Sequence, residues 1–267
     1  MDIQAHRKDE HYIIAEKLYQ ENSLNDLSEI QLNFDSLPEL GINDIDISTK
    51  LADKSISAPF FINAMTGGSP ETGKLNRRLA KVAHENDLAL ATGSQSVALA
   101  NEDAAQSFKI ARETDLDGIM IANLGASHGI ENALKAIKMT DAQMLEIHLN
   151  PAQELVMPEG DRSFYWVKQL KEVVNKSPVP VIVKEVGMGL SPKTLAKLKK
   201  IGVKYVDIAG YGGLISLPLK INEDIVKNIL SSQILACLLL SHYSQHRASK
   251  MTSRSQLLVE FVMPWIS

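Results

Sequence analysis

Short apolar runs ending in small or polar residues alternate with longer amphipathic stretches through most of this chain. Six runs stand out: Pro59–Gly68, Leu88–Ser96, Gly118–Ala126, Leu145–Asn150, Val179–Gly187 and Tyr205–Gly210. All are rich in Val, Ile, Leu and Ala with little alternation, the pattern of strands buried on both faces of a parallel sheet. Between them Glu71–Glu85, Ala104–Glu113, Asn132–Met139, Phe164–Asn175 and Pro192–Ile201 read as helices. Ser191-Pro192 is a strong helix start, a capping residue followed by proline at the first position.

Regular β-α repetition predicts an α/β fold with a parallel sheet. Thr66, Ser94, Gln95, Asn123, His148, Asn150 and Lys184 fall at the carboxyl ends of the runs. Such a ring suits a (β/α)₈ TIM barrel, whose site is built from several strand ends. A doubly wound sheet would gather its site at one switch point. Only six β/α units are visible, where the closed barrel has eight. From Leu214 the pattern stops: Ile229–Ser241 is serine- and leucine-rich, His242–Arg254 is polar, and Leu257–Ser267 is apolar. Residues 1–213 therefore read as one incomplete barrel domain and 214–267 as an unrelated tail.

Composition narrows the function classes. The 267 residues are 45% hydrophobic and 22% charged, which excludes disordered, collagenous and coiled-coil chains. A net charge of −4 argues against nucleic-acid binding through the protein's own basic field. The one cysteine, Cys237, excludes a disulfide framework. No run of about 20 apolar residues occurs, and the polar start does not resemble a signal peptide, so no membrane partner and a cytoplasmic location are expected.

The sequence has no nucleophile elbow, Walker A loop, HExxH or G-x-G-x-x-G motif. The glycines of Ala64-Met65-Thr66-Gly67-Gly68 serve either close approach to a flat ligand or phosphate, or a tight βα turn. Lys184 ends a very apolar run. A buried ammonium needs an anionic partner, which favours a lysine facing a bound anion or electron-rich ring over a structural one. Gln153-Glu154 follow His148 and Asn150; one carboxylate among neutral acceptors suits Mg²⁺, and equally a solvated loop glutamate. In Arg7-Lys8-Asp9-Glu10-His11, a helix would put Arg7 and His11 on one face, where with Lys8 they could clamp a diphosphate. A solvated terminal helix carries the same pattern. Glu159-Gly160-Asp161-Arg162 reads as a charged turn with a local ion pair.

Together the strings RKDEH, INAMTGG, ATGSQS, ANLGA, HLNPAQE, PEGDR, VPVIVKEVGMGLS and YVDIAGYGG resemble the type 2, flavin-dependent isopentenyl-diphosphate Δ-isomerases. They follow that family's order and spacing from Arg7 to Gly213, four fifths of the chain. The resemblance implies a barrel that binds FMN and Mg²⁺ and interconverts isopentenyl and dimethylallyl diphosphates. It implies that Arg7 and Lys8 hold the diphosphate with help from His11. Ala64, Met65 and Thr66 would line the flavin, Ser94 and Asn123 would hydrogen-bond it, and Lys184 would face its anionic edge. Gln153 would sit by the alkene and Glu154 would bind Mg²⁺, with His148 and Asn150 further members of the pocket. Reduced FMN would be the acid/base, NADPH its reductant, and the protein a homo-oligomer, tetramer or octamer. The rival readings are an FMN-dependent oxidoreductase of the α-hydroxy-acid-oxidising barrel type and a non-enzymatic remnant. The first normally wants a histidine base and carboxylate-binding arginines, which the matched strings do not display.

The match stops at Gly213, where the family continues with a GGT-N-F-type loop and later an ASGG-type phosphate-binding strand end. Leu214–Glu223 can be encoded so that the frame displaced by one base reads TNFIAIENKR. Leu257–Ser267 can be encoded so that the same displacement reads ASGGVRHALDI, although Met263 and Trp265 have single codons. Two family segments emerging from one displaced frame point to a frameshifted or misread tail from about Leu214, against the rival reading of a genuine alternative C-terminus. A chain ending that way is expected to be impaired in folding, FMN binding and activity.

Overall fold

The computed structural model describes residues 9, 13, 35–157 and 160–209, and the backbone of 263–264. A hairpin of β1 (Thr49–Leu51) and β2 (Lys54–Ile56) precedes a parallel sheet of β3 (Leu90–Ala91), β4 (Met120–Gly125), β5 (Met144–Leu149), β6 (Val181–Glu185) and β7 (Tyr205–Asp207). These five strands pair in chain order, and Ile62 extends the sheet by a parallel bridge to Leu90. The short strand β8 (Met263–Pro264) pairs antiparallel with Tyr205–Val206. Sequential order without a switch point is the run of a (β/α) barrel and not of a doubly wound sheet.

The helices are α1 (Pro70–Asn86), α2 (Glu102–Thr114), α3 (Ile130–Thr140), α4 (Pro151–Val156), α5 (Val167–Lys176) and α6 (Pro192–Lys200). Local chemistry fixes their starts. Ser69 accepts from the Thr72 N–H ahead of Pro70, Asn101 accepts from Asp103 and Ala104, and Ser191 accepts from Thr194 ahead of Pro192. The helix expected from Phe164 begins at Val167 instead. Phe164 and Trp166 stay outside it, stacked edge to face at 5.1 Å.

Two apolar layers result from the pleat. Met120, Ala122, Leu124, Leu145, Ile147, Val181 and Val183 pack outward against the helices. Ala89, Ala91, Ile121, Met144 and Ile182 face inward, where Leu51 and Ile56 of the hairpin join them. The hairpin plugs the end of the sheet's interior where the strands begin. The opposite end, where the strands finish, is polar.

Candidate functional site

Alternation carries the inward face from apolar to polar within each strand. Two residues beyond Ile121, Met144, Ile182 and Tyr205 come Asn123, Glu146, Lys184 and Asp207, and His148 follows Glu146 by two more. Register sets Asn123 beside Glu146, His148 beside Lys184 and Lys184 beside Asp207. Buried polar groups at such a depth persist only when paired.

Asn123 is one hub of that pairing. Its Nδ2 donates to Glu146 Oε2 at 3.0 Å, and its Oδ1 accepts from His148 Nδ1–H at 2.9 Å. Its backbone N–H donates to Gln95 Oε1 at 3.0 Å, while Gln95 Nε2 donates to the Ala136 carbonyl at 3.1 Å. The second hub is Lys184, whose Nζ donates to the Glu185 carbonyl at 2.9 Å and stands 3.7 Å from Asp207 Oδ2. Asn63 Nδ2 donates to the same Asp207 oxygen at 3.1 Å. The anionic partner that Lys184 requires is thus Asp207, so its burial does not by itself call for a bound anion.

The loop after the first run is packed by the protein itself. Gly67 and Gly68 have φ of 132° and 111°, and a Cβ on Gly67 would meet the Phe108 ring at 2.1 Å. Gly67 therefore serves the tight βα turn and its packing. The Thr66 hydroxyl donates to Asn76 Oδ1, and the Thr66 carbonyl accepts from Gly93 N–H at 2.7 Å. Met65 is half exposed, and Ala64 donates its N–H to Asn63 Oδ1 at 2.6 Å.

Asn150 Nδ2 donates to Gln153 Oε1 at 3.2 Å, joining two of the expected pocket residues. Glu154 Oε2 accepts from the Asp161 N–H at 2.6 Å. Among the described residues Arg162 has no ion pair, and Glu159, a candidate partner in that charged turn, lies outside them. Arg162 donates to the carbonyls of Glu154, Met157, Gly160 and Asp161. Among the described residues no cluster of three or more His, Cys, Asp or Glu could hold a metal ion. A cation at Glu154 would draw its other ligands from water and a bound anion, as Mg²⁺ commonly does.

Arg7, Lys8 and His11 lie outside the described residues. Asp9 is described: it accepts a hydrogen bond from the Ser69 hydroxyl at the start of α1, beside Gly68. Ser94 opens the 3-10 turn Gln95–Leu99, with its Oγ 2.9 Å from Ser96 Oγ. Glu185, next to Lys184, points its carboxylate into a loop whose N–H groups at Gly187, Met188 and Gly189 all donate to Oε2. Burial nevertheless raises its pKa above the ordinary value, the backbone bonds opposing it.

Sequence reasoning did not single out Glu146, Asp207 or Asn63. For Glu146 the signal was present: in LEIHLN, Glu146, His148 and Asn150 recur with period two, which puts them on one face of a strand.

No family model matches the chain. An isopentenyl-diphosphate delta-isomerase of Latilactobacillus sakei is 51% identical over 211 residues, 79% of this chain and 60% of the relative. Namesakes from Listeria welshimeri and Limosilactobacillus reuteri are 45% and 46% identical over 79% and 78% of this chain. The chain spans about 60% of the length of these curated relatives. Among solved structures, a Pediococcus acidilactici (putative) lactate oxidase aligns at a TM-score of 0.45 and 13% identity, covering 70% of this chain and 57% of that one. A likeness that loose carries nothing further. No described helix is long and apolar enough to cross a membrane.

Proposed function

The matched part of this chain belongs to the isopentenyl-diphosphate delta-isomerase family, and from that premise we propose that its strand-end site is the flavin-ring half of a type 2 enzyme interconverting isopentenyl and dimethylallyl diphosphates. The observation that carries the reading is the convergence at one strand-end face of Asn123, His148 and Lys184, three residues that the resemblance assigns to the pocket. Lys184, though already paired with Asp207, supplies a cation at that face that suits the anionic edge of a reduced isoalloxazine.

The residues fit FMN. Lys184 would face the ring edge, Ser94 and Asn123 would hydrogen-bond it, and Ala64 and Met65 would line it. Thr66 would do so through its backbone, since its hydroxyl is given to Asn76. When bound and reduced, with NADPH as reductant, the flavin supplies the acid and base that move the double bond without net redox change. The protein's part is orientation and charge: Arg7, Lys8 and His11 hold the diphosphate, Glu154 carries Mg²⁺ against it, and Gln153, Asn150 and His148 position the alkene. Substrate and cofactor are small molecules; a homo-oligomer in the cytoplasm, without nucleic acid or membrane, completes the proposal.

The segment expected to anchor the FMN phosphate has no counterpart in residues 214–267, while codons can be chosen for Leu257–Ser267 whose frame displaced by one base would encode it. The 267-residue chain is therefore the impaired form. FMN titration followed by flavin fluorescence compares it with a chain carrying one inserted base after the Gly213 codon. The restored chain should bind at least about a hundred-fold more tightly, the worth of roughly 3 kcal/mol of phosphate contacts. Equal affinities would contradict the proposed frameshift.

A further inference from the structure

A second line of polar groups leads away from Ser94. Ser94 Oγ lies 2.9 Å from Ser96 Oγ, and Ser96 Oγ lies 2.8 Å from His128 Nε2. His128 Nδ1 lies 3.0 Å from Asn132 Nδ2. His128 precedes Gly129, the N-cap of α3, and Asn132 sits in that helix's first turn.

The chemistry of each group restricts the next. An amide nitrogen only donates, so Nδ1 of His128 accepts. A neutral imidazole that accepts at one nitrogen carries its proton on the other, so Nε2–H donates to Ser96 Oγ. Ser96, accepting from His128, is then free to give its own proton to Ser94 Oγ. In that arrangement Ser94 keeps a proton directed away from Ser96. Turning the Asn132 amide over would reverse every bond, and Ser94 would offer only lone pairs. Burial lowers the pKa of His128, and the helix N-terminus beside it also disfavours a cation, so the ring stays neutral and one of these two polarities holds.

We propose that His128 is a positioning residue for the site: its Nε2–H tautomer, fixed by Asn132, orients the Ser96 and Ser94 hydroxyls so that Ser94 meets a ligand as a hydrogen-bond donor. The atom selected there is an acceptor, a carbonyl oxygen or an imine-type ring nitrogen. This ligand consequence rests on the reading of Ser94 as a flavin contact; the polarity belongs to the protein alone.

The test is a two-bond ¹H–¹⁵N correlation spectrum of the imidazoles in the full 267-residue chain, with His128 identified by its loss in His128→Gln. The expected result is a neutral ring protonated at Nε2 near neutral pH. Asn132→Asp, whose carboxylate can only accept, should move the proton to Nδ1. An Nδ1–H or doubly protonated ring in the unsubstituted chain overturns the proposal, as does a tautomer that Asn132→Asp leaves unmoved. FMN titration supplies the ligand arm: Asn132→Asp should weaken binding about five-fold, the worth of one hydrogen bond. If Ser94→Ala leaves FMN affinity unchanged, Ser94 is no flavin contact and the ligand half falls, while the tautomer result is judged separately.

Discussion

Asn63 and Asp207 are joined by a hydrogen bond of 3.1 Å across a sequence separation of 144 residues. The one follows the bridge at Ile62 that begins the sheet, and the other ends β7. Their contact shows that the sheet curls far enough for its first and later strands to meet through its interior. It also ties the Lys184 ion pair to the start of the barrel.

Breaking that ion pair should be costly, because Lys184 and Asp207 side chains are only 8% and 3% exposed. Asp207→Asn leaves a buried ammonium without its counter-charge and should cost about 3 kcal/mol in urea unfolding. The Lys184→Met/Asp207→Leu pair should cost less than the single change. A smaller loss in Asp207→Asn than in the double variant would refute this electrostatic reading.

Gly67→Ala should destabilise by roughly 2–3 kcal/mol, since the new methyl meets the Phe108 ring and the backbone has positive φ. Adding Phe108→Leu should recover the steric part and not the backbone part. Thermal unfolding of both variants provides the comparison.

Arg112 stitches the end of the sheet remote from the site. Its guanidinium donates to the carbonyls of Thr140, Asp115, Leu116, Gly118 and Asp141 and to Gln143 Oε1. Lysine cannot reproduce that fork, so Arg112→Lys should lose about 2 kcal/mol of stability. FMN affinity, read on the folded fraction, should not change. A selective loss of flavin binding would contradict the placement.

The Glu185 carboxyl has a raised pKa in the folded chain because burial outweighs its backbone hydrogen bonds. The folded state thus binds its proton more tightly than the unfolded chain. Its contribution to stability is whole below the ordinary value of 4.5 and is lost as pH rises through the folded value. Glu185→Gln, which cannot ionise, should flatten that decline in denaturant unfolding followed from about pH 4 to about pH 7. An identical pH profile in the variant would show that the group does not titrate in this way.

Five of the six apolar runs became strands because each is rich in apolar residues over strand length and is bounded by turn or helix-start residues. The Pro59–Gly68 run yields only the bridge at Ile62, its later residues being spent on the turn through Gly67 and Gly68. The hairpin at Thr49–Ile56 was not legible: its strands are three residues each, and four of the six residues are exposed. At the site, the strand-end polar residues were visible as a ring. Their pairing was not, since Lys184 and Asp207 meet only through sheet register, and Thr66 turns its hydroxyl to Asn76 on α1.

The most direct test of the account is anaerobic conversion of isopentenyl diphosphate by the chain with its frame restored after Gly213, supplied with FMN, NADPH and Mg²⁺. The account predicts dimethylallyl diphosphate only when the flavin is reduced, a large loss in Lys184→Ala, and little or no turnover by the 267-residue chain. Turnover independent of flavin, or steady reduction of FMN by a 2-hydroxy acid without isomerisation, would contradict it.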